Sequence, residues 1–293
     1  MSHPKTIDIH FSNRSLHMQH HHHHHLILAM ILLAIISCTV LNAQDIRFIY
    51  PDARSVALGG IGSVQTDVSA LIGNQAGLAS LESIEVSLTA ERRFQSSALQ
   101  YFAGSMVLPS SVGSFGLAIQ RFGDGDFNQQ LVGLAYSRKL LDVLSVGARF
   151  DYLQLRIKGY GRKGIATVEM GLQSQIIPEL LIGFHVYNPL QVQLLDDEFL
   201  PTILHLGLRY GASDKVFLYG EIHKISDLME GLSLGLEYEI LERFSMRLGV
   251  RTQPQLVTFG IGYSFDTHYA IDVSSAVHPQ LGVSSAGTVR FRK

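Results

Sequence analysis

Residues 231–239 set the pattern for most of the chain. Leu232, Leu234, Leu236 and Tyr238 alternate there with Gly231, Ser233, Gly235, Glu237 and Glu239, a period of two that belongs to a strand with two unlike faces. Leu204, Leu206, Leu208 and Tyr210 repeat it against His205, Gly207 and Arg209, as do Val257, Phe259, Ile261, Tyr263 and Phe265 against Thr258, Gly260, Gly262 and Ser264. Fourteen such segments follow one another from 84–94 to 284–292, most of them eight to eleven residues long. A tilted strand needs roughly 9 to 11 residues to cross a bilayer.

Two architectures use half-apolar strands, the soluble β-sandwich and the closed membrane barrel. In a sandwich the polar face meets bulk water and carries long charged residues. Here that face is glycine, serine and threonine with isolated charges, which suits a crowded lumen. The links point the same way, because outer-membrane barrels have short periplasmic turns and longer loops outside. Links after even-numbered segments are tight (109–113, 139–142, 176–179, 211–215, 240–244 and Asp266), and those after odd-numbered ones are more often long (123–128, 156–164, 188–201, 225–230). The expected fold is all-β, a transmembrane antiparallel barrel of about fourteen strands over residues 81–293.

The first 80 residues lack this alternation. Residues 26–36 are continuously apolar and lead through Ser37, Cys38 and Thr39 to a small-residue site at Leu41-Asn42-Ala43. Eleven apolar residues fall short of the roughly 20 that a membrane-spanning helix needs, so 1–43 is expected to be a cleaved signal peptide, with Met18 as a possible true start. The His20 to His25 tract then serves as a weakly basic leader segment rather than a metal site. Ile35-Ile36-Ser37-Cys38 also resembles a lipoprotein box, the competing reading of the same site. Between 44 and 80, Gly59-Gly60-Ile61-Gly62 breaks the chain and a helix is predicted from Asp67 or Ser69 to near Gly77. Its expected place is inside the periplasmic mouth of the barrel, as a plug.

Composition removes several function classes. A net charge of -2, with 16% charged residues and no basic cluster, gives nucleic acid nothing to hold. The single cysteine, Cys38, leaves with the leader, and thiol chemistry leaves with it. The ionisable residues expected to face inward are Glu85, Glu91, Arg93, Arg121, Arg149, Asp151, Glu169, Arg209, Glu237, Glu239, Arg247 and Arg251. Both signs are present, and such groups are expected to pair across strands rather than form a catalytic dyad. The sequence carries no phosphate loop, nucleophile elbow or metal-ligand spacing. His185, His205, His223, His268 and His278 fall on separate elements. No enzyme activity, cofactor or metal is expected.

Ala53 to Gly60 (ARSVALGG), Asp67-Val68-Ser69-Ala70-Leu71, Asn74 to Ala79 (NQAGLA) and His278-Pro279-Gln280-Leu281-Gly282 together resemble the PorV/PorQ family of outer-membrane proteins, which is related to the long-chain fatty-acid transporters. Gln75 stands where that family has proline. The resemblance implies a fourteen-stranded barrel with a plug motif at Gly59, Gly60, Asp67, Asn74 and Gly77. It also implies two alternative functions. In one the barrel takes part in type IX protein secretion or cell-surface attachment, binding secretion subunits or exported proteins through loop 188–201 with Asp196, Asp197 and Glu198. In the other it is a FadL-like channel that admits a hydrophobic small molecule and releases it sideways through the wall, which requires an apolar pocket and a movable plug. Outer-membrane lipid is the expected surrounding in both.

Overall fold

The computed structural model describes residues 52–293 apart from 196, 197 and 227. The expected leader, with Met18, the histidine tract and Cys38, lies outside the described residues, as do Asp196 and Asp197. Fourteen antiparallel strands close into one barrel. They are β1 (Glu85–Arg92), β2 (Gln100–Ser110), β3 (Gly113–Gly123), β4 (Phe127–Leu141), β5 (Leu144–Ile157), β6 (Gly161–Ile177), β7 (Leu180–Tyr187), β10 (Ile203–Ser213), β11 (Val216–Ile225), β12 (Gly231–Leu241), β13 (Phe244–Thr252), β14 (Gln255–Ser264), β15 (Tyr269–His278) and β16 (Gly282–Arg292). A small hairpin, β8 (Gln193–Leu195) and β9 (Glu198–Phe199), sits in the link from β7 to β10. The wall closes where β1 pairs with β16, from Glu85 opposite Arg292 to Arg92 opposite Ser285. All fourteen expected segments are barrel strands.

Alternation sorts the two faces. Leu88, Phe150 and Leu248 are 65%, 54% and 57% exposed, whereas Ser87, Thr89, Arg149, Asp151 and Arg247 are buried. The apolar face therefore points out, as lipid requires, and the small and charged face lines the interior. Arg121 departs from the expectation. It is exposed and continues the outward row of Phe115, Leu117 and Ile119, while its neighbours Gln120 and Phe122 turn inward. The site lies at the loop end of β3, where a long cationic side chain reaches past the apolar band to water. The hairpin of β5 and β6 is longer than the sequence indicates, because the tip counted as loop pairs as far as Ile157 opposite Gly161.

Residues 52–81 run through the interior. The sequence led us to expect one helix from Asp67 or Ser69 to Gly77. The structure has α1 (Ala53–Ala57), α2 (Ala70–Gly73) and a 3-10 turn over 75–80. Asp52 caps α1 by accepting the Ser55 N–H at 2.7 Å, and Gly59 and Gly60, at φ +78° and +85°, turn the chain out of it, a conformation that glycine adopts without strain. The expected helix is cut at Asn74, which is extended (φ -162°) and whose side-chain oxygen caps the 3-10 turn at the Ala76 N–H.

The wall makes room for this segment by omitting side chains. Inward-facing Gly147, Gly171, Gly183, Gly207, Gly235 and Gly249 all touch it. A Cβ at Gly183 would overlap the backbone carbonyl of Ser63, and one at Gly171 would overlap the side chain of Asn74. Asn74 Nδ2 donates to the carbonyl oxygens of Leu172 and Phe184, at 3.1 and 3.2 Å, on the wall itself. Gly183→Ala is therefore expected to leave the barrel closed but unseat residues 60–76, raising their amide hydrogen exchange. Gly220→Ala, whose Cβ would meet only leucine side chains at 3.7 to 3.9 Å, is the control expected to change nothing.

Opposite this contact, six charges close a ring. Asp67 Oδ2 accepts from Arg54 at 3.1 Å and from Arg290 at 2.6 Å; Arg290 also reaches Asp272 at 2.7 Å. Asp272 accepts from Arg247, Arg247 donates to Glu237, and Glu237 accepts from Arg54, each at 2.7 Å. Two members come from the interior segment and four from β12, β13, β15 and β16. Arg247 and Asp272 meet over β14 because Gly262 leaves the gap between them. Three guanidinium groups offset three carboxylates, so each buried charge is compensated. Removing one member leaves each of its two neighbours with a single partner and the ring with a net buried charge, for which the scale is the about 3–5 kcal/mol of breaking a buried pair. Arg247→Leu should lower the barrel's unfolding midpoint in guanidinium chloride by a corresponding amount; an unchanged midpoint would show that the ring does not hold the segment.

Candidate functional site

Above the interior segment, at the end of the barrel that carries the longer links, lies a cavity of about 340 Å³. This is at the low end of the roughly 300–1,000 Å³ typical of small-molecule pockets. Gly60, Gly62, Ser63, Ile72 and Gly73 of the interior segment form its floor, and residues of β3 to β7 and β10 form its wall. Leu194, Phe199, Leu200 and Pro201 cover it from the β8–β9 link.

One residue holds that cover in place. Asn188 is fully buried, with φ +51°, a conformation that asparagine tolerates better than most residues. Its Nδ2 donates to the Leu200 carbonyl at 2.5 Å, while its Oδ1 accepts from Thr167 Oγ1 at 2.8 Å and from the Val192 N–H at 3.1 Å. Thr202 Oγ1 closes the loop base by donating to the Asn188 carbonyl at 2.8 Å. The link is thus folded back over the barrel mouth by a side chain at its first residue.

The lining has two characters. Ile72, Leu131, Leu153, Leu200 and Ile203 are its apolar members, interleaved along the strands with Gln120, Gln129, Arg149, Glu169, His185 and His205. Arg149 donates to Asp151 Oδ1 at 2.7 Å, to Glu169 Oε1 at 2.6 Å and to the Leu71 carbonyl at 2.5 Å. Glu169 Oε2 takes hydrogen bonds from Gln75 Nε2 at 2.8 Å and from His185 Nε2 at 3.0 Å. His205 pairs with Glu221 at 2.9 Å. Glu221 in turn accepts from the Ser63 hydroxyl at 2.6 Å and from the Ser63 and Gly62 N–H groups at 3.0 and 3.2 Å. These networks tie the cavity wall to its floor.

The candidate residues are spread over the interior. Arg149 and Glu169 line the cavity, with Asp151 behind Arg149. Glu237 and Arg247 belong to the six-charge ring, together with Asp67 of the plug motif. Arg251 lies between them, donating to the Gln253 carbonyl at 2.7 Å and contacting His223 at 3.0 Å. Arg209 is half-buried on the inner face of β10, opposite Tyr219. Gly59, Gly60, Asn74 and Gly77 are all on the interior segment, where Gly77 packs against the Gln65 carbonyl. Glu198 opens β9 in the covering link.

Several residues of this interior were missed in reading the sequence. Glu221, Asp272 and Arg290 sit on the inward rows of β11, β15 and β16, and counting parity along those strands finds them. His185, His205 and His223 are neighbours rather than separate features, paired across adjacent strands with ring centroids 5.8 and 6.1 Å apart. Their meeting depends on register across the 188–202 link, whose length alone does not set it. Among the described residues no group of three or more histidine, cysteine, aspartate or glutamate side chains could hold a metal ion.

No family model matches the sequence, and no curated protein matches it. Solved structures match the fold. The toluene transporter TbuX of Ralstonia pickettii superposes with a TM-score of 0.64 at 14% identity, over 84% of this chain and 99% of that one. The monoaromatic hydrocarbon channel CymD gives 0.62 at 14% identity, over 84% and 98%. A FadL homologue of Pseudomonas aeruginosa gives 0.58 at 13% identity, over 82% and 96%. These comparisons give the PorV/PorQ resemblance no support; what this chain shares with the three structures is the barrel fold.

Proposed function

We propose that this protein is an outer-membrane channel for small hydrophobic molecules, taken up from the loop side into the cavity above the interior segment. The cavity carries the proposal. It is covered by a folded-back link, sits at the mouth of a closed barrel and is lined in part by apolar side chains. The matching structures, a toluene transporter and a monoaromatic hydrocarbon channel, favour this reading over a role in type IX secretion.

Sideways release has a natural place in the wall. Outside Gly147 and Gly171 lies an apolar recess lined by Tyr136, Met170, Leu172, Phe184 and Val186. Inside the same two glycines lies the turn at Asn74 to Ala76. Backbone alone separates the two at those positions, so the wall is thinnest there, and sideways release would require parting the β5–β6 or β6–β7 ladder as well as moving the turn. The signal peptide and outer-membrane location belong to the same proposal.

Uptake of a radiolabelled monoaromatic compound by a Gram-negative host lacking its own hydrophobic-compound channel tests the reading. Expression of the protein should raise uptake. Leu153→Trp, which fills the cavity, should reduce it by roughly tenfold, the loss that 1.4 kcal/mol of binding corresponds to. Asn188→Ala should raise the entry rate by releasing the cover. If uptake is the same with and without the protein, the channel reading fails.

A further inference from the structure

We propose that the outer surface of the barrel binds the phosphate groups of an outer-leaflet glycolipid, through Arg121 on β3, Arg156 on β5 and Arg162 on β6. This rests on the outer-membrane location and not on the channel reading.

The height of the three arginines on the wall points to a headgroup. Ile119, Val132 and Tyr152 are paired in register on the outer face and are 55%, 45% and 49% exposed, part of the apolar band. The next outward position on each of these strands holds Arg121, Gln130 and Gln154, again paired in register. Arg156 is the following outward residue of β5, and Arg162 stands opposite it on β6. The change from apolar to polar side chains marks where hydrocarbon ends. It lies at the end of the barrel with the longer links, which in outer-membrane barrels is the outside.

The three arginines have no partner within the chain. All are exposed, and among the described residues none makes an ion pair or a side-chain hydrogen bond. Arg156 and Arg162 face each other directly, with Cβ atoms roughly 5 Å apart, and like charges so placed destabilise a strand pair. An anion shared between them reverses that penalty, and phosphate oxygens match the guanidinium fork. The nearby acids are already engaged. Asp126 pairs with Lys158 at 2.7 Å, and Asp124 accepts the N–H groups of Asp126 and Phe127 at 2.9 and 3.2 Å. Across the barrel, Lys224 of β11 has its own carboxylate, Glu230, at 2.7 Å. Unpaired cations at the top of the apolar band therefore gather on one side, where Arg92 of β1 is exposed as well.

The spacing suits a sugar headgroup. Two strand spacings and two residues separate Arg121 from Arg156, about 12 Å between Cα atoms by ordinary sheet dimensions. Gln130 and Gln154 lie between them, and a side-chain amide both donates to and accepts from hydroxyl groups.

Native mass spectrometry of the full detergent-solubilised protein tests the proposal, with lipid A carrying two phosphates and the same lipid after their enzymatic removal as probes. The phosphorylated form should bind at least roughly tenfold tighter, a ratio worth 1.4 kcal/mol. Changing Arg121, Arg156 and Arg162 together to Gln should erase the difference, whereas Lys224→Gln should keep it. The comparison of the two lipids on the unaltered protein needs no variant to fold. Equal affinity for the two lipids, or an equal loss in Lys224→Gln, would overturn the proposal. Absence of the protein from outer-membrane fractions of its host would remove the location, and the proposal with it; presence there with equal lipid affinity would remove the proposal alone.

Discussion

A barrel of this strand number encloses more space than its own inward side chains fill, since about eight strands is the size at which they suffice. Everything else here follows from how that space is occupied. Residues 52–81 cross the interior with their backbone against the wall, and the wall admits them by carrying glycine where a side chain would collide. The contact is one of shape before it is one of energy. Tight backbone-to-backbone packing fixes the height of the segment, and that height leaves the space above it that becomes the cavity.

The barrel was legible in the sequence because its signal is periodic and survives the absence of any tertiary information. Each of the fourteen segments alternates by itself, and each tight turn is marked locally. The small-residue face pointed to a crowded lumen, but spacing did not say what crowds it. Gly147, Gly171 and Gly183 are scattered along the chain and become a surface only once register sets them side by side. The single expected helix failed for a local reason, an extended Asn74 whose side chain has better partners on the wall than in a helix. Arg121 failed at the end of a strand, where an outward charge is as well solvated as an inward one.

The cavity was not legible at all, and the cause is the 188–202 link. Its residues show no pattern, yet they fold back over the mouth through the hydrogen bonds of Asn188, and they bring Leu194, Phe199 and Leu200 over residues from β3 to β10. The inward charges do pair, but pairing was expected only between strands. Arg54 and Asp67 show that the interior segment supplies two members of the main ring, something that inward parity on strands has no means of revealing.

The segment is held unequally along its length. At α1 the hold is ionic and closed on itself. Opening the ring strands buried charges, and this is far costlier than losing neutral hydrogen bonds, whose net worth is about 0.5–1.5 kcal/mol each. At the cavity floor the hold is mixed: Ser63 and Gly62 bond to Glu221, and Gln173 Nε2 donates to the Ser63 and Gln65 carbonyls at 3.0 and 2.8 Å. Each of these bonds has water as an acceptable substitute once the cavity is wet. Gly59 and Gly60, both at positive φ, lie between the two regions, with Gly59 bonded to Thr258 and Ser233 at 3.0 and 2.9 Å. A ligand entering from the loop side therefore meets the less firmly held part of the segment first, while the ring keeps the remainder in place. Under the channel reading, a movement of 60–76 would begin at these bonds rather than at the ring, and would have to release Asn74 from the wall carbonyls of Leu172 and Phe184.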